Sequence, residues 1–304
     1  MQAVSSDIYR GRFAPSPTGP LHFGSLVGAL ASYLDARNRQ GVWLVRIEDI
    51  DPLREVPGAA DSILRTLEAH GLLWDESVVY QSRRLSSYTE LLAQLLASGH
   101  AYPCPCSRKE LSERHGRHLD ACRLRQTNPG SEYAYRFAVT DAEHSFNDLI
   151  QGDVPYHLHG ELDDFVIRRK EGFFSYQLAV VCDDLAQGIS HIIRGSDLLD
   201  STPLQYQMYK ALGRESPQVG HFPVVIDASG AKLSKQNLAP GLDNRQIMSN
   251  LRAAAAALLI DNTELMQAET PQELLPLLTL NWSRERIHGL RSVPLPDIAS
   301  AQSA

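Results

Sequence analysis

The stretch FAPSPTGPLHFGSLVGAL, residues 13–30, joins a stiff turn to the beginning of an apolar helix. Its prolines fix the backbone angle φ, and the first turn of a helix, where Pro20 is expected, tolerates a residue without an N–H group. Helical periodicity predicts a helix from Leu21 to Arg39, after a short strand in IYRGRFAP. A helix that begins at the carboxyl end of a strand offers free N–H groups and a positive dipole end to an anion. Such a site suits the phosphates of a nucleoside triphosphate.

Two residues at the beginning of this helix add to that interpretation. We expect His22 to point into the crevice as a hydrogen-bond donor, and Gly24 to let a flat ring lie against the backbone. The alternative is a proline-capped core helix that carries an incidental histidine.

A lysine motif lies far downstream, in AKLSKQN, where Lys232 and Lys235 flank a serine. It ends the segment FPVVIDASGAKLSK, which predicts a hairpin with its turn at Asp-Ala-Ser-Gly. Two such lysines can clamp a polyphosphate and neutralise the charge that builds up as pyrophosphate leaves. Alone, the motif is also compatible with an exposed lysine loop, but together with the histidine-glycine element it favours nucleotide chemistry.

The rest of the chain alternates strands and helices, which indicates an α/β fold with a parallel sheet. The run GVWLVRIED predicts a strand, and apolar spacing predicts helices over Ala59–His70 and Ser87–Ser98. The alternation stops near Tyr102, where an insertion of strand-like pieces begins. It resumes with a helix in SYQLAVVCDDLAQG, a strand in ISHIIRG and a helix in STPLQYQMYKALG.

Composition narrows the class of protein. The chain has 304 residues, of which 43% are hydrophobic and 21% charged, and this excludes disordered, collagen-like and coiled-coil proteins. The N-terminus carries no apolar signal segment, so we expect a cytoplasmic protein without a membrane partner. A net charge of −7 argues against an obligate non-specific nucleic-acid binder. Three basic clusters are most simply solvated helix faces: SRKELSERHGRH (107–118), RRKEG (168–172) and SRERIHGLR (283–291).

Three of the four cysteines form a C-x-C-x15-C pattern in the insertion: Cys104, Cys106 and Cys122. Disulfides are rare in the cytoplasm, and three thiolates need a fourth ligand to complete a tetrahedral structural zinc site. His118 is our candidate, ahead of His115 and His100. The alternative is three free thiols without a metal. Cys182 fits a small buried hydrophobic residue.

Four segments together resemble the signatures of glutamyl-tRNA synthetases, class I enzymes with a Rossmann fold. They are RFAPSPTGPLHFGSL, RIEDID, IIRGSDLLDSTPLQ and AKLSKQ, and the resemblance extends in order from Arg10 to Leu238. Residues 21–24 fall on the HIGH element and residues 232–236 on the KMSKS element. The resemblance implies glutamyl-adenylate formation from ATP with Mg²⁺, followed by acyl transfer to an RNA hydroxyl. The matching subfamily has tyrosine at the position of His118, so this chain departs from that pattern, but imidazole is the better zinc ligand.

The resemblance further implies which residues carry each role. Catalysis is assigned to His22, Gly24, Lys232 and Lys235. ATP binding is assigned to Pro20, His22, Gly24, Lys232, Leu233, Ser234, Lys235 and Gln236. Glutamate binding is assigned to Arg12, Ala14, Ser16, Glu48, Tyr176 and Arg194. The arginines would meet carboxylate, Glu48 the α-ammonium, and Tyr176 would pack and hydrogen-bond. The alternative for RIEDID is a surface salt-bridge cluster of Arg46, Glu48, Asp49 and Asp51, or an acidic metal-binding loop.

On this basis we expect four regions. They are the first half of a nucleotide-binding Rossmann domain (1–101), an inserted acceptor-binding zinc subdomain (102–170), the second half with the lysine loop (171–240), and a short helical region without an anticodon-binding domain (241–304).

The short remainder after Lys235 makes the chain resemble a truncated branch of the family. That branch forms glutamyl-adenylate without tRNA and attaches glutamate to the cyclopentenediol of queuosine at the wobble position of tRNA(Asp). We expect a monomer that docks on the anticodon stem-loop, and Gln236 in place of the usual arginine fits this branch. Three alternatives remain: a minimal enzyme that acylates a tRNA 3′ end or another carrier, a catalytically silent tRNA-binding relic, and a nucleotidyltransferase of the same superfamily.

Overall fold

Parallel strands form the centre of the molecule. A computed structural model describes residues 8–115, 122–123, 133–227, 229–233, 241–261, 265 and 267–296. The central strands are β1 (Arg10–Phe13), β2 (Val42–Ile47), β3 (Val79–Tyr80), β9 (His191–Gly195) and β10 (Gln218–Phe222). Strand β2 pairs in parallel with β1 and β3, and β9 pairs in parallel with β10. Strand β9 lies beside β1, where the Ser190 N–H donates to the Arg10 carbonyl at 3.0 Å. The predicted parallel α/β architecture is therefore confirmed.

The helices follow the strands in the predicted order. They are α1 (Phe23–Asn38), α2 (Ala59–Ala69), α3 (Leu85–Ala97), α4 (Arg108–Glu113), α5 (Tyr176–Ala186), α6 (Ser201–Ala211), α7 (Ile247–Ala257) and α8 (Pro271–Asn281). None of the helices in the described part of the chain is both long and apolar enough to cross a membrane.

Helix α1 is buried along most of its length because apolar or small residues occupy nearly all of its faces. It packs on β1, β2 and β9 from one side and on α7 and α8 from the other. Its cap is His22, so the helix begins at Phe23 rather than at the predicted Leu21. Pro20 therefore lies outside the first turn, where it is exposed and packs against Gly241. The cap moves because the His22 side chain itself accepts the N–H of Ser25.

The insertion folds as antiparallel strands, which explains why the α/β alternation stops there. Strands β4 (Ala101–Cys104), β5 (Ala134–Phe137) and β8 (Phe165–Arg168) form one sheet. Strands β6 (Ala142–Asp148) and β7 (Gly152–Leu158) form a hairpin. Buried aromatic side chains of β5 join a core with α3, α5 and α6. The insertion is thus packed on the helices of the central fold.

The lysine-motif hairpin is present, with strand β11 (Val224–Ile226) and a bridge from Ile226 to Lys232. Strand β11 also pairs in parallel with β12 (Ser292–Pro294), which the wholly helical prediction for the C-terminal region missed. Three residues ending in proline carry too little periodicity to be recognised as a strand.

One basic cluster is not the solvated surface that was predicted. Arg284 is largely buried and binds both carboxylate oxygens of Asp35, at 2.7 Å each. The Trp282 indole N–H donates to the same carboxylate at 2.9 Å, and the Tyr9 hydroxyl also donates to it. These contacts fix the segment after α8 to helix α1.

Candidate functional site

A cleft of about 900 Å³ opens at the carboxyl ends of β1, β2 and β9, beside the beginning of α1. Ligands bind at this edge in open α/β sheets. Ten of the predicted site residues line the cleft: Arg12, Ala14, Ser16, His22, Gly24, Glu48, Tyr176, Arg194, Lys232 and Leu233. Pro20 is not among the lining residues, and Ser234, Lys235 and Gln236 lie outside the described residues. The tertiary structure therefore brings the N-terminal turn and the distant lysine motif to one cavity.

The histidine-glycine element and the lysine motif touch each other. A Cβ atom on Gly24 would lie 3.0 Å from the Leu233 carbonyl oxygen and 3.3 Å from His22 Cε1. This close approach favours glycine, because a Cβ atom here would require the Leu233 backbone to move by a few tenths of an ångström. The His22 Nδ1 atom accepts the Ser25 N–H at 3.3 Å, and its Nε2 atom lies 2.9 Å from the Ser25 hydroxyl.

Lys232 extends into the cleft, where its Nζ atom lies 2.5 Å from Asp197 Oδ2. Both side chains are about two-fifths exposed, so the pair is screened by water and is weak. Asp197 follows β9 in a short 3₁₀ turn, Ser196–Leu198. An anionic ligand can therefore draw Lys232 away from Asp197 at little cost.

A buried charge network, called the wall below, lies behind the cleft and reaches its surface at Arg12 and Glu48. Asp184 Oδ1 accepts from Arg46 Nη1 at 2.7 Å and from Arg12 Nε at 3.2 Å. Arg46 Nη2 also donates to Glu48 at 3.4 Å. The side chains of Arg12, Arg46 and Asp184 are at most 5% exposed. The surface salt-bridge alternative is therefore wrong for Arg46 and Glu48.

The outer acids of that predicted cluster do lie nearer to solvent. Asp49 accepts the N–H and hydroxyl of Ser82, and Asp51 pairs with Arg54 at 2.9 Å and Arg169 at 3.4 Å.

The pKa shifts in this network follow from burial and from the guanidinium groups. Burial alone would raise the pKa of Asp184, but Arg12 and Arg46 outweigh it and hold that pKa below its usual value. Burial raises the pKa of Glu48, partly opposed by Arg46 and Arg12. Burial would lower the pKa of Arg46, but Asp184 and Glu48 keep it raised, so Arg46 is always charged.

A second layer extends the network. Asp183 accepts from Arg84 at 2.6 Å, from Gln81 at 2.8 Å and from the Tyr88 hydroxyl at 2.8 Å. The three arginines of the wall (Arg12, Arg46 and Arg84) thus face three acids (Glu48, Asp183 and Asp184), and the formal charges cancel.

Arg194 differs from the other buried arginines because its hydrogen-bond acceptors are neutral. Its Nη1 donates to Gln205 Oε1 at 2.9 Å and to the Tyr176 hydroxyl at 3.4 Å, while its Nη2 donates to Thr202 Oγ1 at 2.8 Å. Its Nε donates to His221 Nε2 at 2.9 Å. No carboxylate in the described part of the chain lies within 4.0 Å of its guanidinium. The positive charge of Arg194 is thus available at the cleft.

The three clustered cysteines meet in the insertion. The sulfur atoms of Cys104, Cys106 and Cys122 lie within 4.8 Å of one another, and those of Cys106 and Cys122 are 3.6 Å apart. Zinc–sulfur bonds of about 2.3 Å place two sulfurs of a tetrahedron about 3.8 Å apart, so the thiols fit a zinc ion. His100 and His115 do not join this group, and His118 lies outside the described residues.

The residues that hold the predicted ligands in place were not recognised in the sequence. They include Arg46, Asp184, Thr202, Gln205 and His221. One signal was available, because two consecutive acids in the apolar helix segment AVVCDDLA require buried partners. Thr202 and Gln205 belong to the quoted segment IIRGSDLLDSTPLQ, but no role was assigned to them there. For His221 the sequence offers no comparable signal.

Comparison with known proteins supplies an independent observation. The family model "tRNA synthetases class I (E and Q), catalytic domain" matches residues 9–253. The chain is 48% identical over 290 residues to glutamyl-Q tRNA(Asp) synthetase of Chromobacterium violaceum, covering 93% of this chain and 97% of that protein. It is 47% identical over 285 residues to the protein of the same name from Ectopseudomonas mendocina, covering 94% and 97% respectively.

A solved structure is also similar. The glutamate tRNA ligase from Elizabethkingia meningosepticum, crystallised in complex with its amino acid, superposes with a TM-score of 0.78 at 26% sequence identity. The match covers 97% of this chain and 68% of that enzyme. The similarity therefore includes the insertion and the C-terminal segments as well as the central sheet.

Proposed function

The chain belongs to the class I tRNA synthetases for glutamate and glutamine and is a ligase, and from this premise we propose that it activates L-glutamate with ATP and transfers it to queuosine in tRNA(Asp). Activation would form glutamyl-adenylate and pyrophosphate. The adenylate would then acylate the modified base at the wobble position.

The charge balance of the cleft is the observation that carries the choice of glutamate. The buried wall of three arginines and three acids is formally neutral, whereas Arg194 is held by neutral acceptors. Glutamate has a net charge of −1 and glutamine has none, so a guanidinium whose direct hydrogen-bond partners are all neutral favours glutamate. In this proposal Arg194 and Arg12 meet carboxylate, Glu48 receives the α-ammonium, and Tyr176 packs beside them. Ala14 and Ser16 complete this part of the cleft.

ATP is proposed to occupy the region between the histidine-glycine element and the lysine motif. The close approach of Gly24 to Leu233, and the presence of His22 and Lys232 in one cleft, support this placement. Lys232, with Lys235, would leave its contact to Asp197 and stabilise the departing pyrophosphate. Mg²⁺ would supply charge neutralisation on the phosphates.

Zinc is proposed as a structural ion held by Cys104, Cys106 and Cys122, with His118 as the fourth ligand. Zinc would supply a cross-link within the insertion. Protein prepared without added zinc should contain close to one zinc ion per chain by mass spectrometry of the metal content. Cys106→Ser should lose most of it, whereas the matched control Cys182→Ser, outside the cluster, should retain it. A metal-free wild-type protein would contradict the proposed site.

The acceptor is proposed from the similarity to the two glutamyl-Q tRNA(Asp) synthetases, which share nearly their full length with this chain. The test uses radiolabelled glutamate, ATP and tRNA from cells grown with and without queuosine. Only queuosine-containing tRNA should be labelled, and nuclease digestion should find the label in the anticodon fragment. Label at the 3′ end, or equal labelling of both pools, would contradict the proposed acceptor.

Activation is tested separately by exchange of labelled pyrophosphate into ATP. The wild-type protein should catalyse exchange with glutamate in the absence of tRNA, and glutamine at the same concentration should give little exchange. A protein that exchanges nothing with either amino acid would contradict the proposed activity.

A further inference from the structure

A buried histidine–aspartate pair lies behind Arg194. His221 is in β10 and Asp148 is at the end of β6, and they are 0% and 2% exposed. His221 Nδ1 lies 2.5 Å from Asp148 Oδ2, and His221 Nε2 lies 2.9 Å from Arg194 Nε. The three side chains thus form a line from the insertion to the cleft.

The hydrogen bonds fix where the imidazole proton lies. Arg194 Nε–H can only donate, so His221 Nε2 accepts, and the ring proton is on Nδ1, which donates to Asp148. Burial lowers the pKa of His221, which keeps the ring neutral. Burial would raise the pKa of Asp148, but hydrogen bonds from His221 and the backbone outweigh it, and the carboxylate stays charged.

Asp148 is itself held by the backbone. Its Oδ1 accepts the N–H groups of Ile150, Gln151 and His221 at 2.8–3.0 Å. The Gln151 side chain continues these contacts by donating to the carbonyls of His221 and Leu290 at 2.7 Å each. The carboxylate therefore has one orientation, in which its other oxygen, Oδ2, faces His221 Nδ1.

We propose that His221, oriented by Asp148, is a positioning residue that holds the Arg194 guanidinium in place for the carboxylate of the substrate. A neutral imidazole is suited to this task because it accepts the Nε–H without forming an ion pair. A carboxylate at the same place would hold Arg194 equally well but would compensate the charge needed for the ligand. This inference rests on the proposed function, in which Arg194 binds glutamate.

Asp148→Asn tests the hydrogen bonds that link Asp148, His221 and Arg194, because asparagine has almost the same shape as aspartate. The asparagine Oδ1 can keep the three backbone bonds, but its amide group then presents N–H to His221 Nδ1. The ring proton must move to Nε2, where it opposes the Nε–H of Arg194. We expect the KM for glutamate in pyrophosphate exchange to rise about ten- to a hundredfold, the range for losing one hydrogen bond to a charged group. The KM for ATP should not change, whereas a merely structural defect would alter both.

Two substitutions at His221 provide a second test that does not depend on the folding of Asp148→Asn. Glutamine can place Oε1 near the position of Nε2 and still accept from Arg194, whereas phenylalanine cannot. His221→Phe should therefore raise the KM for glutamate more than His221→Gln does. His70→Phe is the matched control, because His70 is also 0% exposed but contacts Thr66 and Asn250 instead of Arg194.

The outcomes separate the two hypotheses. A wild-type protein without glutamate-dependent exchange overturns the proposed function, and the positioning role with it. Normal wild-type exchange with an unchanged KM for glutamate in Asp148→Asn and His221→Phe overturns the positioning role alone. If Asp148→Asn does not fold, equal KM values for His221→Gln and His221→Phe overturn it.

Discussion

Replacing Arg194 with alanine is expected to reduce kcat/KM for glutamate in pyrophosphate exchange by about 30- to 5,000-fold. Removing one partner of a buried, hydrogen-bonded charge pair costs about 2–5 kcal/mol, and about 1.36 kcal/mol corresponds to a factor of ten. The upper part of the range is expected because Arg194 is only 5% exposed, so its charge acts where water screens it little. Water that enters the vacated space cannot replace a guanidinium.

The substitution should act mainly on glutamate and not on ATP. Arg214→Ala is a suitable control, because Arg214 is exposed and does not line the cleft. Its kcat/KM should equal that of the wild type. If kcat/KM for glutamate of Arg194→Ala stays within a factor of about two of the wild-type value, the loss is below about 0.5 kcal/mol. The assignment of Arg194 to the substrate carboxylate is then wrong.

Replacing Asp184 with asparagine is expected to lower the free energy of unfolding by about 3–5 kcal/mol. The substitution removes the charge that compensates two guanidinium groups, those of Arg12 and Arg46, in a wall that is almost inaccessible to water. Since whole proteins are stable by about 5–15 kcal/mol, a loss of this size should be evident in urea denaturation. The exposed Asp153, on the edge of the β6–β7 hairpin, provides the control Asp153→Asn, expected within about 0.5 kcal/mol of wild type.

The effect of Asp184→Asn should depend on pH in a defined direction. The pKa of Asp184 is lowered in the folded protein, because Arg12 and Arg46 outweigh the opposing effect of burial. The unfolded chain therefore binds the proton more readily. The stabilisation is complete above the unfolded-state pKa of about 3.9 and is lost as the pH falls through the folded-state value. The difference between wild type and Asp184→Asn should accordingly be constant near neutral pH and shrink in acid. A difference that grows in acid would contradict the role of the ionised carboxylate.

Much of the fold was predictable because its signals are local. The strand and helix order around the central sheet follows from periodicity within short windows, and α1 deviates from the prediction by two residues at its beginning and one at its end. The last strand, β12, was missed because it consists of three residues and exists only through its pairing with β11. The insertion was located by a change of composition, but its antiparallel pairing could not be read from that change.

The residues expected to contact the substrates could be predicted from the sequence, but the residues that hold them in place could not. His22, Glu48 and Lys232 stand in motifs whose chemistry is recognisable from neighbouring residues, and they lie in one cleft. Asp197, the partner of Lys232, lies 35 residues before it in the sequence. No local pattern specifies such a pair.

The amino-acid sequence by itself determined the α/β class, the nucleotide-binding motifs, and the cysteine pattern, since each depends on residue type and short spacing. The tertiary structure decided which charges cancel: Arg12 meets Asp184 across 172 residues, and His221 meets Asp148 across 73. The physical reason is that Coulomb and hydrogen-bond energies depend on distance in space and on burial, and folding sets both. Only the folded structure gives Arg194 neutral hydrogen-bond partners and places its positive charge at the cleft.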